Sequence, residues 1–155
     1  MTCVVAAVSA EARPRISAIL PGWELRFVDT GSELVKALAD RAWDMMILEV
    51  HFNRHAAAAA LQCALSGDAS FPVVCVRHAP FANRGHAALD ALRMTLGAVG
   101  AHAFVDLLEY ADDDAGNAAA RLLLEELLPV RFEEVQLEEV GGADIRQVTV
   151  QSRPA

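Results

Sequence analysis

Hydrophobic and polar residues follow two alternating patterns along this chain. Short, compact apolar runs are typical of strands, and segments in which apolar residues recur every three or four positions are typical of helices. The runs predict strands over residues 2–8, 23–28, 43–50, 71–76 and 103–108. The periodic segments predict helices over residues 11–20, 55–65, 86–96 and 112–128, and one more around Leu34, Val35 and Leu38, for which Ser32 is a candidate cap.

Five consecutive βα units predict an α/β fold. The expected architecture is a doubly wound, five-stranded parallel sheet with right-handed crossovers and helices on both faces. The third run, from Trp43 to Val50, is apolar at consecutive positions, as in a central strand covered on both faces. Ligands of open α/β sheets bind beyond the carboxyl ends of the strands. Glu49, near the end of this run, is therefore a candidate functional acid.

The last residues of the chain have a different pattern. After the predicted helix, Val135, Leu137 and Val140 precede Gly141-Gly142, and further apolar residues follow. This arrangement predicts two short strands across a glycine turn, with a partly ordered tail as an equal alternative. An isolated hairpin is marginal in water, so it would have to pack on the domain or on a second chain. The predicted organisation is a domain over residues 1–128 and an extension over residues 129–155.

The composition and net charge of the chain argue against several classes of function. The chain has 155 residues, of which 54% are hydrophobic and 22% charged, as in one globular domain. No apolar run approaches the roughly 20 residues of a membrane span, and the first residues show no secretory signal, so a cytoplasmic location is expected. The net charge of −8 argues against binding nucleic-acid phosphates or anionic membranes.

The three cysteines show no metal-binding spacing. Cys3 and Cys75 lie inside apolar runs and Cys63 in a predicted helix. We expect small structural thiols, no disulfide and no cofactor. The chain also lacks a glycine-rich phosphate loop, a nucleophile elbow and a pair of catalytic carboxylates, so no enzyme class is indicated.

Three segments resemble the receiver domain of bacterial response regulators. Trp43 to Val50 looks like the strand that leads to the phosphorylated aspartate of that family, Phe71 to Val76 is similar to its fourth strand, and Gly100 to Val105 to the glycine-alanine entry into its fifth. The resemblance covers residues 2–128. It implies the flavodoxin-like receiver fold, with βα repeated five times, and a role in signalling.

The same resemblance implies a degenerate phosphoacceptor pocket. Receiver domains bind Mg²⁺ through an acidic pair after the first strand and use an aspartate, a Thr or Ser and a Lys at the ends of later strands. Here Glu49 stands at the acceptor position, Ser9 and Ala10 in the region of the acidic pair, Arg77 or His78 at the hydroxyl position, and Leu107 at the lysine position. Phosphoryl transfer depends on metal and cation electrostatics, so we expect no autophosphorylation by the family route.

Glu49 has two interpretations. Its charge could imitate the phosphorylated state, or it could be a silent residue in an ion pair with Arg77. The second interpretation is favoured, because the hydroxyl that would sense the charge is missing. A metal site formed by Glu49, His51 and His78, with His55 nearby, is a weaker hypothesis, because the spacing matches no established metal motif.

These observations predict a non-catalytic, receiver-like domain that acts through a protein partner or a homodimer. The alternative is an atypical response regulator whose altered pocket senses a phosphoryl group, a metal or a small ligand. The last predicted helix has more leucines than one amphipathic stripe needs, and the excess could face a partner or be covered by the tail. The candidate interface residues are Leu122, Leu123, Leu127, Val135, Leu137, Val148 and Val150.

Overall fold

The computed structural model describes residues 1–52, 62, 71–80 and 86–128. In chain order its elements are β1 (Cys3–Ala7), α1 (Arg13–Ile19), β2 (Glu24–Val28), α2 (Gly31–Asp40), β3 (Met45–Glu49), β4 (Val73–Arg77), α3 (His86–Ala98), β5 (Ala103–Asp106), a 3₁₀ turn (Leu107–Glu109) and α4 (Asp114–Glu126). The predicted hairpin at residues 135–150 and, apart from residue 62, the predicted helix at residues 55–65 lie outside the described residues.

The five strands form one parallel sheet in the order β2-β1-β3-β4-β5. This order confirms the predicted doubly wound α/β architecture. The strand order reverses at β1, so β1 and β3 are the central strands around the switch point of the sheet. Within the described residues, no helix is both long and apolar enough to cross a membrane.

The core has two layers, one on each face of the sheet. On the first face, alternate residues of the strands pack against α1 and α4; this layer includes Val4, Ile47, Val76, Ile16 and Leu124. On the second face, the intervening residues pack against α2 and α3. Every residue from Met45 to Glu49 is buried, because both faces of this strand are covered. The continuous apolar pattern of the sequence follows from this double coverage.

Element ends differ from the predictions where side chains cap the backbone. Ser32 is not the cap of α2: the helix begins two residues earlier, after Thr30, whose Oγ1 accepts a hydrogen bond from the Glu33 N–H at 3.2 Å. The carboxylate of Glu33 in turn accepts from the Asp29 N–H at 2.8 Å. These reciprocal bonds resemble a capping box. The Thr30 hydroxyl, which accepts from a backbone N–H of the first turn, thus sets the start of α2.

The fifth strand is two residues shorter than predicted. Asp106 accepts a hydrogen bond from the Leu108 N–H at 3.1 Å and so closes a 3₁₀ turn over Leu107–Glu109. The chain therefore leaves the sheet directly after Asp106. At the other end of the strand, Gly100 has φ 101° and reverses the chain after α3, a conformation that favours glycine.

Candidate functional site

The candidate site is the edge of the sheet where the strands reach their carboxyl ends. β3 ends on Glu49, β4 on Arg77 and β5 on Asp106, while the loop after β1 contains Ser9 and Ala10. The register brings these ends to one edge: Glu49 is paired with Val76, and Arg77 with Asp106. This is the position in which open α/β sheets bind ligands.

Glu49 is a buried carboxylate, with 2% of its surface exposed. Its Oε2 accepts a hydrogen bond from the backbone N–H of Ser9 at 2.6 Å, across the edge from β3 to the loop after β1. A hydrogen bond to an ionised carboxylate is stronger than one between neutral groups. Ser9 thus contributes a main-chain donor to this contact, and the Ala10 side chain is exposed.

Arg77 and Asp106 form a bidentate ion pair. Arg77 Nε donates to Asp106 Oδ1 at 2.9 Å, and Arg77 Nη2 donates to Asp106 Oδ2. The side chain of Asp106 is 1% exposed and that of Arg77 16%. Asp106 also holds the 3₁₀ turn through Leu108 N–H. The guanidinium is therefore fixed against β5 in the fork geometry that suits a carboxylate.

The predicted ion pair between Glu49 and Arg77 is wrong. In the part of the chain that the structure describes, the salt bridge of Arg77 is with Asp106, and Glu49 is in none. Side chains alternate between the two faces of a strand. Glu49 has the same parity as Ile47, on the face of α1 and α4, whereas Arg77 has the parity of Cys75, on the face of α2 and α3. The two side chains belong to opposite faces of the sheet.

Leu107 lies in the core and is completely buried. It packs in the layer that contains Val8, Ile16 and Leu124, between the sheet and helices α1 and α4. At the position where the resemblance implies a lysine, the structure thus has an apolar side chain in the hydrophobic layer.

The candidate metal residues are not brought together. His51 is exposed just after β3, and His78 is half-buried just after β4. Among the residues described by the structure, no group of three or more His, Cys, Asp or Glu side chains could hold a metal ion, so Glu49, His51 and His78 do not form one. His55 lies outside the described ranges.

Both described thiols are free and lie away from this edge. Cys75 is fully buried in β4, and burial raises the pKa of its thiol to about 11. Cys3 is half-buried at the amino edge; burial, and then its hydrogen bond to Glu24, raise the pKa of its thiol. Both thiols are protonated at neutral pH and are weak nucleophiles.

Sequence reasoning missed Asp106 and Asp44. Asp44, just before β3, accepts a hydrogen bond from the Cys3 N–H at 2.8 Å. Carboxylates at both ends of β3 thus bind backbone N–H groups at the first residue of β1 and in the loop after it. An acid at each end of an apolar run was a visible signal for this role. For Asp106 the signal was an acid at the end of one strand and an arginine at the end of the preceding one, but only the register makes them partners.

The candidate interface residues on α4 differ in exposure. Leu122 is 62% and Leu123 39% exposed, whereas Leu127 is half-buried against the core. The remaining candidates, Val135, Leu137, Val148 and Val150, lie outside the described residues.

Comparison with solved structures identifies the fold as that of response-regulator receiver domains. The chain is similar to a response regulator from Hahella chejuensis, with a TM-score of 0.65 and 17% identity over 84% of this chain and 97% of that one. It is also similar to the chemotaxis protein CheY4 of Vibrio cholerae, with a TM-score of 0.61 and 17% identity over 83% and 99% of the two chains.

A third similar structure is NtrX from Brucella abortus, with a TM-score of 0.62 and 21% identity over 83% of this chain. The matched region is 27% of the NtrX chain, so this chain spans about a quarter of that protein's length. No protein-family model and no curated protein matches the sequence. At these identities the comparisons establish the receiver fold, and one fold can host many different functions.

Proposed function

We propose that this chain is a receiver-like signalling domain that acts through contacts with other proteins and does not use aspartyl phosphorylation. The observation that supports the proposal is that the polar groups of the carboxyl edge bind one another. Glu49 is bonded to the Ser9 N–H, and Arg77 is bonded to Asp106. Glu49 and Arg77, the acid and the cation at the ends of β3 and β4, thus already have partners within the domain.

The chemistry of phosphoryl transfer supports the same conclusion. The reaction gains most of its rate from positioned metal ions and cations that neutralise the charge on the transferred group. In the loop after β1, Ser9 and Ala10 have no carboxylate to offer a hard cation, which prefers oxygen ligands. At the end of β5, Leu107 is an apolar core residue. We therefore propose that the domain is non-catalytic and works without a cofactor. A cytoplasmic location is a separate part of the proposal.

The alternative is an altered acceptor pocket that still senses a phosphoryl group. Incubation of the full chain with acetyl phosphate and Mg²⁺, followed by intact-mass measurement, separates the two functions. We expect no mass increase. A Glu49→Gln variant, which keeps the size of the side chain, is the matched control. An adduct of one phosphoryl group that appears on the native chain and is absent from the variant would refute the proposal and establish the alternative.

A further inference from the structure

The outward side of α4 is apolar where a surface helix ordinarily carries polar residues. The inward side buries Asn117, Ala120 and Leu124 against the sheet. The opposite side presents exposed small and aliphatic side chains at spacings of three and four residues. This outer stripe consists of Ala115, Ala118, Ala119, Leu122 and Leu123.

The outer stripe has negative charge at both ends. Residues 109–128 contain six carboxylates and one arginine, so this short segment carries most of the net charge of −8. Asp113 and Asp114 are exposed at the start of the helix and Glu126 at its end. The arginine, Arg121, is bonded to Glu125 at 2.6 Å. The surface next to the stripe therefore attracts cations.

The charges distinguish between possible occupants. If the stripe paired with its copy in a second chain, an antiparallel arrangement would place Asp113 and Asp114 beside Glu126 of that chain. A parallel arrangement would place equivalent carboxylates side by side. Either arrangement juxtaposes like charges, which opposes association. A segment with Lys or Arg at both ends of an apolar face has the complementary charge.

We propose that the outer stripe docks an amphipathic, basic helix of a different protein. Three alanines allow the backbone of a second helix to approach closely, and Leu122 and Leu123 provide the larger apolar contacts. Helical ligands are typically recognised through apolar anchors at three- and four-residue spacing, flanked by complementary charge. The inference rests on the proposed function and names the class of partner for it.

Selection from a displayed library tests the inference. The library is a single amphipathic helix whose flanking positions encode Lys, Glu and Ser equally, and it is selected on the full chain at low salt. We expect enrichment of Lys at both ends of the apolar face. The selected peptides should bind a Leu122→Gln chain about tenfold more weakly, and a Met94→Gln chain as well as the native one, because Met94 is 77% exposed on α3 and outside the stripe.

Charge is tested separately from apolar contact. An Asp114→Asn, Glu126→Gln double variant should weaken the selected peptides several-fold, as should high salt, whereas Glu11→Gln should leave binding unchanged. Enrichment of Glu, an absence of charge preference, failure of any sequence to enrich, or indifference to Leu122→Gln would overturn the inference. Self-association of the full chain that Leu122→Gln abolishes would also overturn it, by identifying a second copy as the occupant. These outcomes differ from a phosphoryl adduct, which would refute the proposed function itself.

Discussion

Arg77 and Asp106 are register partners on adjacent parallel strands, and their side chains form a bidentate ion pair at the carboxyl edge of the sheet. The same carboxylate holds the 3₁₀ turn that ends β5. One buried side chain therefore fixes both a cation and the exit of the chain from the sheet. Because Arg77 and Asp106 hydrogen-bond each other within the domain, removing one of them should lower the free energy of unfolding.

Replacing Asp106 by Ala should destabilise the fold by about 3 kcal/mol, because a largely buried guanidinium loses its carboxylate and the Leu108 N–H its acceptor. Urea denaturation monitored by circular dichroism measures the change. Asp40→Ala is the control, since the Arg26–Asp40 pair is exposed and should cost about 0.5 kcal/mol or less. An Arg77→Met, Asp106→Leu double variant should recover part of the loss. If Asp106→Ala and Asp40→Ala destabilised the fold equally, the role of Asp106 would be contradicted.

Glu49 is expected to protect the backbone amide of Ser9. Glu49→Ala removes the acceptor of the 2.6 Å bond and should speed hydrogen exchange at the Ser9 amide about tenfold or more. Glu49→Gln retains an acceptor oxygen of similar reach and should have a much smaller effect. Exchange is followed residue by residue by NMR. Asp44→Ala should expose the Cys3 amide and leave Ser9 protected; unchanged exchange at Ser9 in Glu49→Ala would show that the bond does not hold the loop.

Two helical glycines should respond in opposite directions to replacement by alanine. A Cβ on Gly116 would lie 2.1 Å from the carbonyl oxygen of Ala111, so backbone would have to move, and we expect a loss of about 2 kcal/mol. Gly97, in α3, has nothing within 4 Å of such a Cβ and should gain about 0.5 kcal/mol or more from the better helix propensity of alanine. Thermal and urea unfolding measure both. Stabilisation by Gly116→Ala would disprove the close contact.

The Cys75 thiol should make stability depend on pH in the alkaline range. Its pKa is raised from 9.0 to about 11 in the folded state by burial. The unfolded chain therefore loses this proton first, so the contribution is complete below pH of about 9 and is lost as the pH rises to about 11. The difference amounts to about 2 to 3 kcal/mol.

Urea unfolding of the native chain and of Cys75→Ala across this range isolates the effect of the thiol. The alanine variant removes the titrating group, so its stability should fall less steeply with pH than that of the native chain. Parallel pH profiles for the two proteins would mean that the thiol ionises equally in the folded and unfolded states.

The sequence predicted most of the fold because the pattern reports burial directly. β1, β3 and β4 have consecutive apolar residues, which a strand needs when helices cover both faces. The position of Glu49 at the end of β3 and the burial of Cys75 in β4 follow from the same pattern. The ends of elements were less predictable, since Thr30 sets the start of α2 and Asp106 the end of β5 through side-chain hydrogen bonds that hydrophobicity does not encode.

The partners of the polar residues at the site were decided by the tertiary structure. Moving one position along a strand carries a side chain to the other face of the sheet, so Arg77 lies with Asp106 and not with Glu49, although all three end their strands at the same edge. Likewise, the turn after β5 places Leu107 in the core. Sequence alone determined which segments are buried and where along the chain the strands lie. The register between strands, set by packing across the whole sheet, determined which side chains meet there.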